Sequence, residues 1–211
     1  ISFCSLKKFF EPTLDVAREI LLHPAFPERE FNIYCQKRKQ SLTIERQKVD
    51  MQSREMFAEA LFGSNHPYGI STPEEAYDDL TTDDLREHYD GLYTAENSFV
   101  VCSGNIDDRV YNHIADIASE LRTGTSIDIK FPKPTTTHYI ERNIDSALQS
   151  SVRVGRLLFP RTHPDFVGMQ VVAAILGGYF GSRLMQNLRE EHGYTYGVMA
   201  AMVNFEHEGY L

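Results

Sequence analysis

Apolar residues at Leu6, Phe9, Phe10, Leu14, Ala17, Ile20 and Leu21 recur every three or four positions, the period of a helix buried along one face. Pro12 suits the first turn of a helix begun near Glu11, where its missing N–H would have no intrahelical partner. The run His23-Pro24-Ala25-Phe26-Pro27 breaks that helix. A long, polar helix is expected over 27–49 with acid in its first turn, and a third over 52–62 presenting Met56 and Ala60. A loop over 63–69 leads to a short helix over 72–79 and to another starting at Thr82 and ending near Tyr93. Phe99-Val100-Val101-Cys102 reads as a buried strand closed by a turn at Gly104-Asn105. An amphipathic helix follows over 107–121, with Val110, Ile114, Ile117 and Leu121 inward.

Beyond this point the pattern changes. Residues 123–137 are rich in Thr, Gly, Ser and Pro and make the best linker, so 1–122 and 138–211 are expected as separate domains. The second begins with strands over 138–143 and 150–159 and a hydrophobic helix over 164–176. That helix stops at Gly177 and Gly178, which permit positive φ or a close approach of two backbones. Ser182 is placed as the N-cap of a helix carrying Leu184 and Leu188 four apart, closed by Gly193 as its C′ residue. A strand from Tyr196 towards Phe205 completes a β-β-α-α-β order. The expected fold class is α+β, with helices packed on a mixed, largely antiparallel sheet.

The net charge of −9 makes nucleic acid and anionic membrane poor partners. No stretch has the length and apolarity of a membrane span. Cys4, Cys35 and Cys102 are odd in number, widely spaced and set among apolar neighbours, which reads as buried free thiols. The Ile1-Ser2-Phe3 start, without Met, reads as an excised piece, and the compartment stays open between periplasm and cytoplasm. Among polar residues, Arg189 and Tyr196 stand out, seven apart on either side of Gly193. By local chemistry Arg189 complements a helix C-terminus and Tyr196 packs a sheet face with a wet hydroxyl.

The pattern L-G-G-x-x-x-S-R-L-x-x-x-L-R-E-x-x-G-x-x-Y over 176–196 resembles the signature of the insulinase (pitrilysin) family of zinc metallopeptidases, in the domain after the zinc domain. Other segments resemble the same family: 22–31 its P-x-F-x-x-x-x-F helix start, 65–69 its H-P-Y-G loop, and 71–74 the stretch after that loop. Tyr93-Thr94-Ala95-Glu96-Asn97 with the strand ending Gly104-Asn105-Ile106 resembles Y-x-P-x-N and G-x-I. The resemblance implies an insulinase-type peptidase domain in which Arg189 and Tyr196 contact substrate.

Two departures imply a non-catalytic member. The family's His-x-x-Glu-His is absent. His88, His192 and His207 each follow a Glu, but Asp84, Leu188 and Val203 stand where the first His belongs. The motif would lie upstream of Ile1. Counting from Phe31, the third zinc ligand and the earlier Glu are replaced by Ser41 and Tyr34, and Ser41 offers no carboxylate. Glu45, one turn on, is better read as a solvated helix-face residue, and His66 as a structural histidine bonded to backbone. No catalytic residue, metal ligand or cofactor is expected in this chain, with zinc expected in an active partner. The implied partners are a peptide or unfolded polypeptide substrate and a zinc-bearing homologous domain or subunit. Two other readings stand beside it. One is a scaffold with no peptide chemistry; the other is a fragment of an active zinc endopeptidase whose metal motif lies upstream.

Overall fold

The computed structural model describes residues 1–211 and is α+β, with far more helix than sheet. It divides into two compact units: residues 1–47 with 71–131, and residues 48–70 with 132–211. The change at Phe131 to Pro132 lies inside the Thr/Gly/Ser/Pro-rich stretch, and the third helix sorts with the second unit.

The first unit is helical. α1 (Phe10–Leu22) buries Leu14 and Ala17, and α6 (Asp108–Ser119) buries Val110 and Ile117. Between these two segments run Glu11–Arg109 at 2.5 Å, Asp15–His113 at 3.5 Å and the pair Arg18–Glu120. Apart from the half-buried His113 these side chains are largely solvent-exposed, so they fix register while burial supplies the stability. α2 (Glu28–Arg46) is largely polar and buries Cys35 and Leu42. Its outer residues hold the short α4 (Ala76–Asp79) and the segment before it through Lys39–Asp78, Thr43–Glu74 and Arg46–Thr72 contacts. α5 (Thr82–Leu92) starts from a capping box: the Thr81 hydroxyl accepts the Asp84 N–H at 3.2 Å and the Asp84 carboxylate accepts the Thr81 N–H at 2.7 Å. The Thr81 hydroxyl and N–H hold the Asp84 carboxyl below its ordinary range. The stabilisation it lends is therefore present above the ordinary carboxylate range and lost as pH falls through the lowered value.

The second unit begins with α3 (Val49–Phe62), which buries Leu61 and Phe62 at its end. The Thr-rich strip 135–137 closes that end. Thr135 and Thr137 donate their N–H groups to Phe62 O and Ala60 O at 3.0 and 2.7 Å, and the Thr136 hydroxyl donates to Leu61 O. Three carbonyls that an α-helix leaves without partners are thereby satisfied. α7 (Phe166–Ala173) continues through a wide turn, Ala174–Gly178, that breaks at Gly177. The wide-turned α8 (Met185–Glu191) follows.

The sheet is smaller than expected. β1 (Leu157–Leu158), β2 (Val203–Asn204) and β3 (Gly209–Tyr210) form an antiparallel sheet in the order β1-β3-β2. Arg156 and Leu211 exchange both N–H bonds beside it, at 3.0 and 3.1 Å. The Asn204 amide reaches Phe159 O across Gly209, where a Cβ would lie 2.7 Å from that oxygen. The strands expected over 99–102 and 138–143 are absent, and those expected over 150–159 and from Tyr196 to Phe205 shrink to two residues each. A strand exists where a second segment supplies the ladder. Residues 99–103 have no backbone hydrogen bond, and Phe99 and Val101 are 89% and 81% exposed. Cys4 and Cys102 are exposed free thiols, and of the three cysteines Cys35 alone is buried.

Gly177 is where a backbone crosses at contact distance. Its carbonyl accepts the Ala200 N–H at 3.2 Å, and a Cβ on it would lie 2.4 Å from Ala200 N. The obstructing atoms are the N, Cα and Cβ of Ala200, none of which can turn aside. Gly177→Ala is expected to cost about 1–3 kcal/mol, as overpacking does. A melting temperature equal to that of the unsubstituted protein would contradict this close approach.

Candidate functional site

The segment that carries Arg189 and Tyr196 is assembled from the glycine break downward. Tyr179 to Ser182 form a turn closed by the Ser182 N–H on Tyr179 O at 3.0 Å, and Ser182 is fully buried. Its hydroxyl makes no hydrogen bond, so Ser182 does not act as a side-chain N-cap. Its carbonyl opens the helix instead, accepting the Gln186 N–H at 2.9 Å. Met185 is buried, and its sulfur accepts the Val198 N–H at 3.5 Å, tying the helix to the chain that returns over it.

Gly193 ends the helix as expected of a C′ residue. It has φ +64° and donates to Arg189 O at 3.1 Å, while Tyr194 donates to Leu188 O at 2.9 Å. The His192 N–H bonds Asn187 O, five residues back, so the helix ends in π-type turns. Such turns recur at functional sites.

Arg189 is half-buried on the last turn, with its guanidinium carbon 4.8 Å from the centroid of the Phe180 ring. Its neighbour Glu191 is held by the Asn187 amide at 3.0 Å. Tyr196 lies beyond Gly193 on irregular chain and is 94% exposed. No hydrogen bond or ring contact joins Tyr196 to Arg189. Phe180 is the residue that sequence reasoning missed: an aromatic in a glycine turn reads as core, yet it is 69% exposed.

The other candidates fall elsewhere. His66 is 2% exposed, stacks on Phe62 with centroids 5.1 Å apart, and accepts the Tyr68 N–H on Nδ1 at 3.1 Å. That acceptor role leaves the neutral-ring proton on Nε2. His66 is thus a structural histidine of the loop after α3. In the first unit Ser41 and Tyr34 are both exposed on α2. Glu45 is half-buried and lies 3.7 Å from Arg38. A hydrogen bond to Tyr77 and, second, the charge of Glu45 raise the Arg38 pKa above its ordinary value.

Comparison with known proteins places this geometry in a family. The model described as the peptidase M16 inactive domain matches residues 79–211, more than half of the chain. The chain belongs to this family. The insulinase-type signature over 176–196 lies within the matched span. Among curated proteins, the chain is 25% identical over 206 residues to an uncharacterised zinc protease, YmxG, of Bacillus subtilis (strain 168). That alignment takes in 94% of this chain and 48% of YmxG.

Among solved structures, the fold is like that of the peptidase M16 inactive domain from Pseudomonas fluorescens, with a TM-score of 0.81 at 22% identity. That match covers 98% of this chain and 51% of the other. A protease from Helicobacter pylori matches with a TM-score of 0.73 at 15% identity, over 98% and 52% of the two chains. The chain therefore spans about half the length of the relatives it matches.

The zinc named for YmxG does not fit the donors of this M16 domain. No three His, Cys, Asp or Glu side chains converge as a metal-ligand group. Ser41, which the insulinase-type resemblance sets against the third zinc ligand, offers only a neutral hydroxyl, and the carboxylate nearest along the helix, Glu45, lies beside Arg38. No helix is long and apolar enough to cross a membrane.

Proposed function

We propose that this M16 inactive domain binds extended or unfolded polypeptide and presents it to a zinc-bearing homologous domain or subunit, with Arg189 and Tyr196 as the substrate-contacting groups. The observation that carries the reading is the state of Arg189. It is half-buried at a helix end and lies over an aromatic ring, with no carboxylate in an ion pair with it. A guanidinium held in this way keeps N–H donors for a peptide carbonyl. Tyr196, exposed on the same motif, adds one O–H donor. The net charge of −9 disfavours nucleic acid as the alternative extended polymer.

The test is equilibrium binding of fluorescein-labelled, reduced and carboxymethylated lactalbumin to the full-length protein. Saturable binding is expected, weakened on the order of tenfold by Arg189→Ala, the scale of one hydrogen bond from a charged donor. The melting temperature should stay the same. Absence of binding would favour a scaffold without peptide chemistry. A specific observation favours that second reading: no hydrogen bond or ring contact joins Tyr196 to Arg189, and the outer residues Val167, Val171 and Ile175 of the α7 region are 67%, 55% and 53% exposed.

A further inference from the structure

The ring beneath Arg189 has a use that the peptide-binding reading leaves unassigned. An Arg near a helix C-terminus with Glu190 and Glu191 beside it would ordinarily pair with a carboxylate. Here Glu191 is engaged by Asn187, and Arg189 has no ion pair at all. Its guanidinium carbon instead lies 4.8 Å from the Phe180 centroid. The two ways of holding a guanidinium differ in what they leave over. A carboxylate consumes N–H donors in pairs, whereas a ring face attracts the charge through its quadrupole and accepts no conventional hydrogen bond.

The backbone around Phe180 suits a fixed support. Phe180 is an inner residue of the turn closed by the Ser182 N–H on Tyr179 O, and that turn is anchored by the fully buried Ser182. The same Ser182 opens the helix that carries Arg189 seven residues later. Ring and guanidinium are thus both referenced to one buried residue. A side chain recruited for the core would not leave Phe180 69% exposed.

Resting on the peptide-binding reading above, we propose that Phe180 is a positioning residue for Arg189. Its ring fixes the guanidinium at the end of α8 while leaving the N–H donors available to a polypeptide carbonyl. The substrate-contacting unit of this domain is then a ring–guanidinium pair.

The experiment is a double-mutant cycle in the full-length protein, with the labelled, carboxymethylated lactalbumin as the probe. Phe180→Leu keeps an apolar side chain and removes the quadrupole, and Phe180→Tyr restores a ring. Phe180→Leu is expected to weaken binding about two- to fivefold, the size of one exposed cation–π contact. Phe180→Tyr should bind as the unsubstituted protein does. In the Arg189→Ala background, Phe180→Leu should add nothing. Equal binding by Phe180→Leu and the unsubstituted protein, or effects that multiply in the double variant, would overturn the positioning role while leaving Arg189 as a peptide contact. Loss of binding in Phe180→Leu that Phe180→Tyr fails to restore would also overturn it. If Arg189→Ala itself leaves binding unchanged, the peptide-binding reading and the role of Phe180 fall together. Melting temperatures of all four variants separate these outcomes from misfolding.

Discussion

Arg189→Ala is expected to lower kcat/KM of the full-length protein, assembled with a zinc-bearing homologue, by on the order of tenfold to a thousandfold. The expectation follows from what a guanidinium can do when a peptide bond is attacked. Negative charge grows on the carbonyl oxygen, and a fixed positive donor stabilises that charge more in the transition state than in the ground state. Arg189 is half-buried, so its donors would act in a partly water-excluded place, where each is worth more than at an open surface. The substitution leaves the backbone bond from Gly193 N–H to Arg189 O in place, so the helix end should persist. The loss should appear in kcat as well as in kcat/KM if the contact tightens during reaction, and mainly in KM if it only holds substrate. Unchanged activity, or activity lost in step with melting temperature, would reduce Arg189 to a structural residue.

How far the site could be read from the chain depended on the reach of each signal. Gly193 was legible because a C′ glycine is a local requirement, and its φ of +64° and its bond to Arg189 O are local facts. Gly177 was legible as a glycine of positive φ or close approach, but not its partner Ala200, which lies beyond α8. The π-type turns of α8 were hidden because 3.6-residue periodicity cannot report a widening set by where Asn187 and Leu188 find their N–H partners. Phe180 was hidden for a related reason. Hydrophobicity marks a residue for burial, whereas a ring placed under a cation is used at the surface.

The same limit explains the strands. Phe99-Val100-Val101-Cys102 has β-forming composition, but pairing is decided by a second segment, and none lies along it. The helices fared better. α1 ends at Leu22, as the Pro-rich run after it requires. The long helix expected over 27–49 ends at Arg46, and the third starts at Val49 rather than at Gln52, after Lys48, whose ψ of 127° is extended. No Gly or Pro marks that break, and α3 leaves α2 there to join the other unit.

The largest effect on stability should come from Phe62, in the second unit. Its side chain is 1% exposed at the end of α3 and sits amid four rings. His66 stacks on it at 5.1 Å, and Tyr68, Phe205 and Tyr210 meet it edge-on at 5.5, 6.1 and 6.1 Å. One residue thus joins the helix, the loop after it and the segment that forms the sheet. Phe62→Ala would remove the apolar surface and leave a cavity that four rigid rings cannot close, at a cost of about 3–5 kcal/mol. That is a large fraction of the roughly 5–15 kcal/mol by which native domains are stable. Phe62→Leu keeps most of the volume and should cost less than Phe62→Ala. Because the chain has two compact units, denaturation need not be one transition, and the effect is best located by hydrogen exchange. Amides of α3 and of 203–211 should lose protection in Phe62→Ala while those of α1 and α6 change less. Equal loss in both units would show that they unfold together. A change below about 1 kcal/mol would mean that the ring cluster around Phe62 is not the core of the unit.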